Sequence, residues 1–292
     1  MTTPITGTAQ DVPYLLIPGS SAQAPVVAGW HLMDSPMTPE AFHAAIPLDG
    51  LDAWKLYLAL PQTPRRIDPD EADQVQQGWM TDAVLNGHDP VNRQASQEFP
   101  GVLAALSAEF GFGAGPLGIM GGSAGGGVAA EVLAAGLAPV RAAVLMNPMI
   151  QLRPAVASMA KEFGITYTWT PESELIADRM DYPARAGEIA AHGAPAVLVI
   201  SGADDDPSGM LDPAERFVTA LQQAYRQRPG TDSGTGDQAS AGAGAGASAE
   251  WVRVDRVAHA LAEQPGIDPA PQLPGAAEFD RLAVQWFSRY LR

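Results

Sequence analysis

Ser123, the consecutive aspartates at 204–206 and His259 follow one another along the chain in an order that suits nucleophilic catalysis. Ser123 lies within the pentapeptide GGSAG of residues 121–125, which fits the pattern G-x-S-x-G. A serine hydroxyl becomes a useful nucleophile only when an adjacent base takes its proton and a third group orients that base. The chain must therefore supply a base and an acid from elsewhere in the sequence.

The base and the acid are expected further along the chain, in the order serine, acid, histidine that is typical of this serine turn. His259, in the stretch DRVAHAL, follows the last predicted strand, and the alternative for it is a packing or surface role. Asp204, Asp205 and Asp206 follow the predicted strand VLVISG, and a Gly-x-x-Asp spacing favours Asp205. We predict a triad of Ser123, His259 and Asp205, with the other two aspartates as alternatives for the acid.

Other uses of the glycine-rich stretch fit the sequence less well. A dinucleotide-binding fingerprint is formally present at Gly113, Gly115 and Gly118, but it precedes a strand instead of following one, and Pro116 interrupts it. The sequence contains no G-x-x-x-x-G-K-[ST] motif, which excludes a phosphate-binding loop of that type. A plain glycine-rich connection remains the alternative to a nucleophile at Ser123.

Short apolar runs alternate with helical patterns along the chain. The runs predicted as strands are 12–19, 24–30, 53–61, 116–122, 140–148, 195–202 and 250–257. The predicted helices are 38–46, 96–111, 124–136, 212–227 and 276–292. Because the strand runs are continuously apolar, we expect an α/β fold in which helices cover both faces of a mostly parallel sheet. Residues 1–292 are predicted to form a single domain.

Two segments depart from this alternation. Residues 149–192 contain no clear strand and are interpreted as an insertion, either a lid over an apolar acyl pocket or a segment that closes its own small core. The large side chains of this insertion are Met159, Phe163, Tyr167, Trp169 and Tyr182. Residues 229–249 are of low complexity and are predicted to form a mobile surface loop, because they offer little apolar bulk to offset the entropy of ordering.

Composition narrows the range of partners. The chain of 292 residues has a formal net charge of −16, which disfavours nucleic acid and anionic membranes as partners. The absence of cysteine excludes disulfides, thiolate catalysis and cysteine-ligated metals. The sequence shows neither a secretory signal pattern nor an apolar run long enough to span a bilayer. We therefore expect a soluble cytoplasmic protein, and no sequence feature indicates its oligomeric state.

Four stretches of the chain resemble the α/β-hydrolase superfamily. The stretch APVVAGWHLMDSP resembles the third strand and its loop, PLGIMGGSAGG the nucleophile elbow, PAVLVISGADD the acid strand, and VAHAL the histidine loop. The elbow is similar to those of dienelactone-hydrolase-like and prolyl-oligopeptidase-like esterases and peptidases. The resemblance implies the α/β-hydrolase fold and serine hydrolysis of acyl compounds with no metal or organic cofactor.

The resemblance also implies an oxyanion hole built from two backbone N–H groups. One belongs to Ala124, directly after the serine, and the other is expected from Met33 in the loop after the third strand. Such donors stabilise a tetrahedral oxyanion by about 3 kcal/mol each. Leu32 stands where the superfamily usually has glycine, and His31 matches a structural histidine without a role in proton transfer.

Three functions follow from these patterns. The first is hydrolysis of a small-molecule carboxylic ester with an apolar acyl group, for which Leu32, Tyr167 and Trp169 are candidate pocket residues. The second is a serine peptidase of the prolyl-oligopeptidase type. The third is a binding protein that keeps the fold without the chemistry. A screen of esters, thioesters, lactones and peptide amides would separate these functions.

Overall fold

The computed structural model describes residues 3–228 and 247–292. Within these residues, eight strands form one sheet in the order β1-β2-β4-β3-β5-β6-β7-β8. The strands are β1 (Ile5–Ala9), β2 (Val12–Ile17), β3 (Val26–Trp30), β4 (Trp54–Leu58), β5 (Leu117–Gly122), β6 (Val140–Met146), β7 (Ala196–Gly202) and β8 (Ala249–Val254). Strand β2 is antiparallel to both of its neighbours, and every other pair is parallel. The predicted mostly parallel α/β architecture is confirmed.

Helices connect most of the strands. They are α1 (Pro39–Ala45), α2 (Ala72–Thr81), α3 (Asp89–Phe110), α4 (Ala124–Ala134), α5 (Leu152–Glu162), α6 (Pro171–Arg179), α7 (Ala186–Ala191), α8 (Asp212–Arg226) and α9 (Pro274–Tyr290). Two π-helical turns, Val84–His88 and Pro207–Leu211, precede α3 and α8. In the described part of the chain, no helix is both long and apolar enough to cross a membrane.

The central strands are apolar throughout because helices cover both faces of the sheet. Successive side chains of a strand point to opposite faces, so a strand buried on both sides shows no alternation. On β5, Ile119 packs into the core on one face and Met120 into the core on the other, and Val199 and Ile200 do the same on β7. Helices α1 and α9 cover one face, and α3, α4 and α8 cover the other.

The sequence patterns do not predict β1 or α2. Strand β1 lies at the edge of the sheet with most of its residues exposed, so it lacks the continuous apolar run of the central strands. Its hairpin to β2 turns at Gln10 and Asp11, which both have positive φ, whereas such turns usually contain glycine. Helix α2 has no buried residue, which explains why it shows no apolar stripe.

The structure describes one of the two irregular segments in full and the other only in part. Residues 149–192 join β6 to β7 and contain α5, α6 and α7, while their function as a lid stays a prediction. Of the predicted surface loop 229–249, residues 229–246 lie outside the described residues, and Ala249 begins β8.

Two ion pairs, one of them with the buried carboxylate of Glu131, hold the end of this insertion against the core helices. Glu131 of α4 is buried and accepts hydrogen bonds from the Arg185 guanidinium at 2.6 Å and from the Tyr182 hydroxyl at 3.1 Å. Arg179 at the end of α6 donates to Asp89 of α3 at 2.7 Å. Because a charged group buried among apolar side chains is costly without its partner, these pairs fix the insertion on α3 and α4.

Removing Arg185 should therefore destabilise the protein. We expect Arg185→Met to lower the free energy of unfolding by about 2 kcal/mol, because the buried Glu131 carboxylate loses its shortest charged hydrogen bond. The control is Arg281→Met, which removes an exposed pair with Glu278 and should cost less than about 1 kcal/mol. Urea unfolding measures both values, and equal losses in the two variants would contradict the assignment.

Candidate active site

Ser123 occupies a tight turn between β5 and α4. Strand β5 ends at Gly122 and α4 begins at Ala124, so the serine is the single residue between them. Its backbone has φ +49° and ψ −117°, a region that costs a non-glycine residue free energy and is common at functional sites. The turn is therefore a strained strand-to-helix elbow of the kind that exposes a serine hydroxyl above a sheet.

The glycines of the G-x-S-x-G pattern are required by close backbone packing. A Cβ atom on Gly121 would collide with the carbonyl group of Gly125, across the turn. A Cβ atom on Gly125 would collide with the carbonyl oxygens of Trp30 and His31, at the end of β3. The two glycines therefore let α4 start directly against β3 and β5, which holds Ser123 in its strained conformation.

The structure brings the predicted serine, histidine and aspartate together. The Nε2 atom of His259 lies 2.8 Å from the Ser123 hydroxyl oxygen, and its Nδ1 atom lies 2.9 Å from Oδ2 of Asp205. Asp205 is buried, and its second carboxylate oxygen accepts the backbone N–H of Asp206 at 2.7 Å. With Nδ1 donating to the carboxylate, Nε2 can accept the serine proton, as a general base requires.

The other two aspartates of the run face different partners. Asp206 accepts the backbone N–H groups of Ser208 and Gly209, at 3.3 and 2.7 Å, and so caps the π-helical turn Pro207–Leu211. Asp204 is exposed, and its backbone N–H donates to the carbonyl of Val257. The side chain that reaches the imidazole is that of Asp205.

Carboxylates control the protonation of His259. Burial disfavours the imidazolium, but the hydrogen bond and the charge of Asp205, together with the charges of Asp34 and Asp206, outweigh burial and raise the pKa of His259 above its ordinary value. His31 has the opposite surroundings, since burial lowers its pKa to about 4. His31 therefore stays neutral, with Nδ1 against the carbonyl of Leu32 and Nε2 accepting the N–H of Leu60.

The sequence interpretation missed Asn147, which anchors the histidine loop. The Asn147 amide donates to the carbonyls of Ala258 at 3.0 Å and His259 at 2.7 Å, and its oxygen accepts the N–H of Gly202 at 2.7 Å. One side chain at the end of β6 thus links the end of β7 to the loop that presents the imidazole. The sequence signal for this role is a polar residue at the end of an apolar strand, in the stretch MNP.

The loop after β3 is bound to the same histidine loop. The Ser35 hydroxyl oxygen lies 2.8 Å from the carbonyl oxygens of both Ala262 and Glu263, which share its single proton, and the Ser35 carbonyl accepts the N–H of Leu261. Thr38 caps α1, and its hydroxyl also donates to the carbonyl of Ile267. These bonds keep the loop that contains Met33 beside His259.

The comparisons with known proteins concern the whole fold. No protein-family model and no curated protein matches the sequence. A dienelactone hydrolase from Anabaena variabilis is 18% identical with a TM-score of 0.57, covering 100% of this chain and 99% of its own. A carboxyl esterase from Tuber melanosporum is 16% identical with a TM-score of 0.53, covering 100% and 87%. An acylaminoacyl peptidase from Pyrococcus horikoshii is 13% identical with a TM-score of 0.62, covering 99% and 42%.

The chain has the α/β-hydrolase fold. The resemblance to the α/β-hydrolase superfamily at the elbow, the acid strand and the histidine loop is thereby confirmed for the fold. In this α/β-hydrolase fold, Ser123, Asp205 and His259 follow β5, β7 and β8, at the carboxyl edge of the parallel strands. Ligands of open α/β sheets bind at that edge.

The two expected oxyanion donors have free backbone N–H groups. Ala124 is the first residue of α4, so its N–H has no acceptor within the helix. Among the described residues, the N–H of Met33 likewise has no hydrogen-bond acceptor. In an α/β-hydrolase fold these are the positions from which two donors can reach one oxyanion.

The three candidate pocket residues differ in their surroundings. Leu32 is fully buried in the core beneath α1 and α9 and packs against Gly122, so it is a core residue and does not line an open pocket. The Tyr167 ring packs edge-on against Trp169, with ring centroids 4.8 Å apart, and its hydroxyl donates to Asp82 at 2.7 Å. Both rings are partly exposed, and their role in a pocket stays a prediction.

No metal site accompanies these residues in the described ranges. Across residues 3–228 and 247–292, no group of three or more histidine, aspartate or glutamate side chains is arranged to hold a metal ion.

Asn147 provides a test of how the histidine loop is held. Its φ is +43°, so Asn147→Gly relieves the backbone while it removes the amide. We expect this variant to lower the free energy of unfolding by about 2 kcal/mol, because the N–H of Gly202 and two carbonyls lose their partner. Chemical denaturation measures the loss.

The exposed residue Asn86 serves as the control. Its amide donates one hydrogen bond, to the carbonyl of Gly78, so Asn86→Ala should cost less than about 1 kcal/mol. A stability of Asn147→Gly equal to that of the wild type would show that the amide does not anchor the loop.

Proposed function

We propose that this protein is a serine hydrolase that cleaves carboxylic esters through an acyl-enzyme intermediate. The observation that carries the proposal is the continuous hydrogen-bond chain from the Ser123 hydroxyl through His259 to Asp205, with lengths of 2.8 and 2.9 Å. The strained backbone of the serine and the two unoccupied N–H groups beside it support the same chemistry.

In the first half-reaction, the Ser123 oxygen attacks the carbonyl carbon of the ester while Nε2 of His259 takes the hydroxyl proton. Asp205 holds the imidazole through Nδ1 and stabilises the imidazolium that forms. When the tetrahedral intermediate collapses, the carbon–oxygen bond to the leaving group breaks, and His259 returns the proton to the departing alkoxide. The products are an alcohol and an ester of the serine.

In the second half-reaction, water replaces the alcohol. His259 takes a proton from water, the resulting hydroxide attacks the acyl-enzyme, and the proton then passes to the Ser123 oxygen as it leaves. A carboxylic acid is released and the resting hydroxyl is restored. In both halves the negative charge on the carbonyl oxygen is accepted by the N–H groups of Ala124 and Met33, each of which stabilises it by about 3 kcal/mol.

The similar structures support ester hydrolysis and leave a peptidase as the second candidate. The chain covers 99% of the dienelactone hydrolase and 87% of the carboxyl esterase, but 42% of the acylaminoacyl peptidase. The same three side chains also suit attack on an amide, so peptide cleavage is the alternative to be tested. A binding protein without activity is the third possibility and would fail the labelling test below.

The insertion at 149–192 is proposed to cover the acyl side of the site. It leaves the sheet at β6, directly after Asn147, whose amide contacts the histidine loop. Tyr167 and Trp169 of this insertion are aromatic and partly exposed, which suits contact with an apolar acyl group. We further propose that the substrate is a small molecule and that the protein acts in the cytoplasm.

Replacing the nucleophile is the direct test. We expect Ser123→Ala to lower kcat for a p-nitrophenyl ester by about 10⁴-fold or more and to abolish labelling by a fluorophosphonate, because no alcohol remains beside His259. The matched control is Ser107→Ala on α3, beside Gly113, which should keep both properties. Full esterase activity in Ser123→Ala would refute the proposal, and cleavage of peptide amides in preference to esters would favour the peptidase.

The pH dependence follows from the carboxylates around His259. Because the imidazole acts as a base only when neutral and its pKa is raised, kcat/KM for a neutral ester should fall as the pH decreases, with an apparent pKa above 6.5. In Asp205→Asn the remaining activity should be about 10⁴-fold lower, because the imidazole loses its orienting partner. A pH profile that is flat between pH 5 and 8 would exclude His259 as the base.

A further inference from the structure

The carboxyl group of Asp34 is not used by the mechanism above, yet its charge interacts with those of His259 and Asp205. Its Oδ1 atom is shielded from solvent and, among the described residues, has no hydrogen-bond partner. Buried polar side-chain atoms nearly always have a partner, because an unpaired one loses its hydration without compensation. An unpaired carboxylate oxygen at a ligand site is therefore a candidate for contact with the ligand.

Asp34 lies in the chain between the proposed oxyanion donor Met33 and Ser35, the residue bonded to the histidine loop. It directly follows Met33, whose N–H is a proposed oxyanion donor, and consecutive Cα atoms are about 3.8 Å apart. It directly precedes Ser35, which is hydrogen-bonded to the histidine loop at Leu261, Ala262 and Glu263. The Asp34 side chain thus belongs to the short segment that joins the oxyanion loop to the histidine loop.

The electrostatic surroundings of Asp34 lack a permanent cation. Burial raises the pKa of this carboxyl group, and the charge of Asp205 raises it further. The opposing influences are a positive charge on His259 and the backbone N–H groups of Asp34 and Ser35. Among the groups that act on Asp34 in the described chain, the one that can be positive is His259, and the resting enzyme needs this imidazole neutral.

We propose that Asp34 binds a protonated amine of the substrate, so that the enzyme selects esters whose acyl group has an ammonium one or two carbons from the carbonyl. This inference rests on the proposed ester hydrolysis. An ammonium group supplies the hydrogen-bond donor that Oδ1 lacks and the positive charge that the site lacks. An ion pair at this position would also orient the acyl chain, with the carbonyl oxygen at the N–H groups of Met33 and Ala124.

The chemistry of the site favours an amine over other substrate groups. A substrate carboxylate or phosphate would add negative charge beside Asp34 and Asp205, which like-charge repulsion opposes. An uncharged alkyl group would cover Oδ1 without giving it a partner, so the cost of the unpaired oxygen would remain. An ammonium group has three hydrogen-bond donors, so it gives Oδ1 a partner, and its positive charge avoids the repulsion from Asp34 and Asp205.

The experiment compares esters that differ by one group. One pair is L-alanine benzyl ester and benzyl isobutyrate, and the other is benzyl 3-aminobutanoate and benzyl 3-methylbutanoate. In each pair an ammonium replaces a methyl group of similar size, and released benzyl alcohol is measured by chromatography at neutral pH. For at least one pair, we expect kcat/KM of the wild type to be about tenfold or more higher for the ammonium ester.

Two variants assign that preference to Asp34. Asp34→Asn keeps the shape and removes the charge, so the ratio of the two kcat/KM values should fall by about tenfold or more, to the ratio that the intrinsic reactivities of the two esters set. The matched control is Asp206→Asn, which removes a nearby carboxylate that also acts on His259 but caps a helical turn. The control should retain the ammonium preference of the wild type.

Several results would overturn the inference. A wild type that cleaves both methyl-bearing esters as fast as their ammonium counterparts excludes amine recognition, whether or not Asp34→Asn folds. An equal fall for both members of a pair in Asp34→Asn would show that Asp34 acts through His259 and not on the substrate. If the wild type cleaves none of the four esters and no fluorophosphonate labels it, the proposed function fails and this inference fails with it. Turnover of the methyl-bearing esters alone defeats only the inference.

Discussion

The site depends on the close approach of the first turn of α4 to the ends of β3 and β5. Gly125 lies against the carbonyl oxygens of Trp30 and His31, and Gly121 lies against the backbone of Gly125, so side chains are excluded at both positions. This contact holds Ser123 in a conformation that an isolated peptide would rarely adopt. It also brings the N-terminal N–H groups of α4 beside the loop after β3, where the second proposed oxyanion donor lies.

The parts of the molecule that the sequence predicts are those with a strong physical signature. The central strands β5 and β7 are buried on both faces, so their sequences are continuously apolar and are easily distinguished from those of helices and loops. The elbow needs glycine at fixed positions because backbone atoms approach closely, and this requirement leaves the G-x-S-x-G pattern. The order of serine, acid and histidine follows from the parallel strands, which carry their carboxyl ends to one edge of the sheet. The observed contacts among Ser123, Asp205 and His259 match that order, while their catalytic roles stay a proposal.

The parts that the sequence did not predict depend on partners distant in the chain or on weak local signals. Strand β1 and helix α2 lie at the surface and bury too little to leave a pattern. The role of Asn147 depends on which backbone groups face its amide, and the proposed role of Asp34 depends on the lack of a partner for its Oδ1 atom among the described residues. Residue type alone predicts neither. Leu32 was expected in a pocket, but its side chain is buried in the core against Gly122. Each of these features depends on tertiary contacts, which the local sequence does not reveal.

The triple hydrogen bonding of Asn147 has a consequence for how the protein tolerates change. One amide joins the ends of β6 and β7 to the backbone at 258 and 259. The backbone that carries the imidazole is therefore fixed to the sheet. A shift of β6 against β7 would therefore move the backbone at 258 and 259, and with it the imidazole. Substitutions deep in the sheet that change volume are therefore expected to be felt at the edge, even when they touch no reacting group. A mutation that weakens the packing of the sheet at β6 and β7 should therefore also misalign His259.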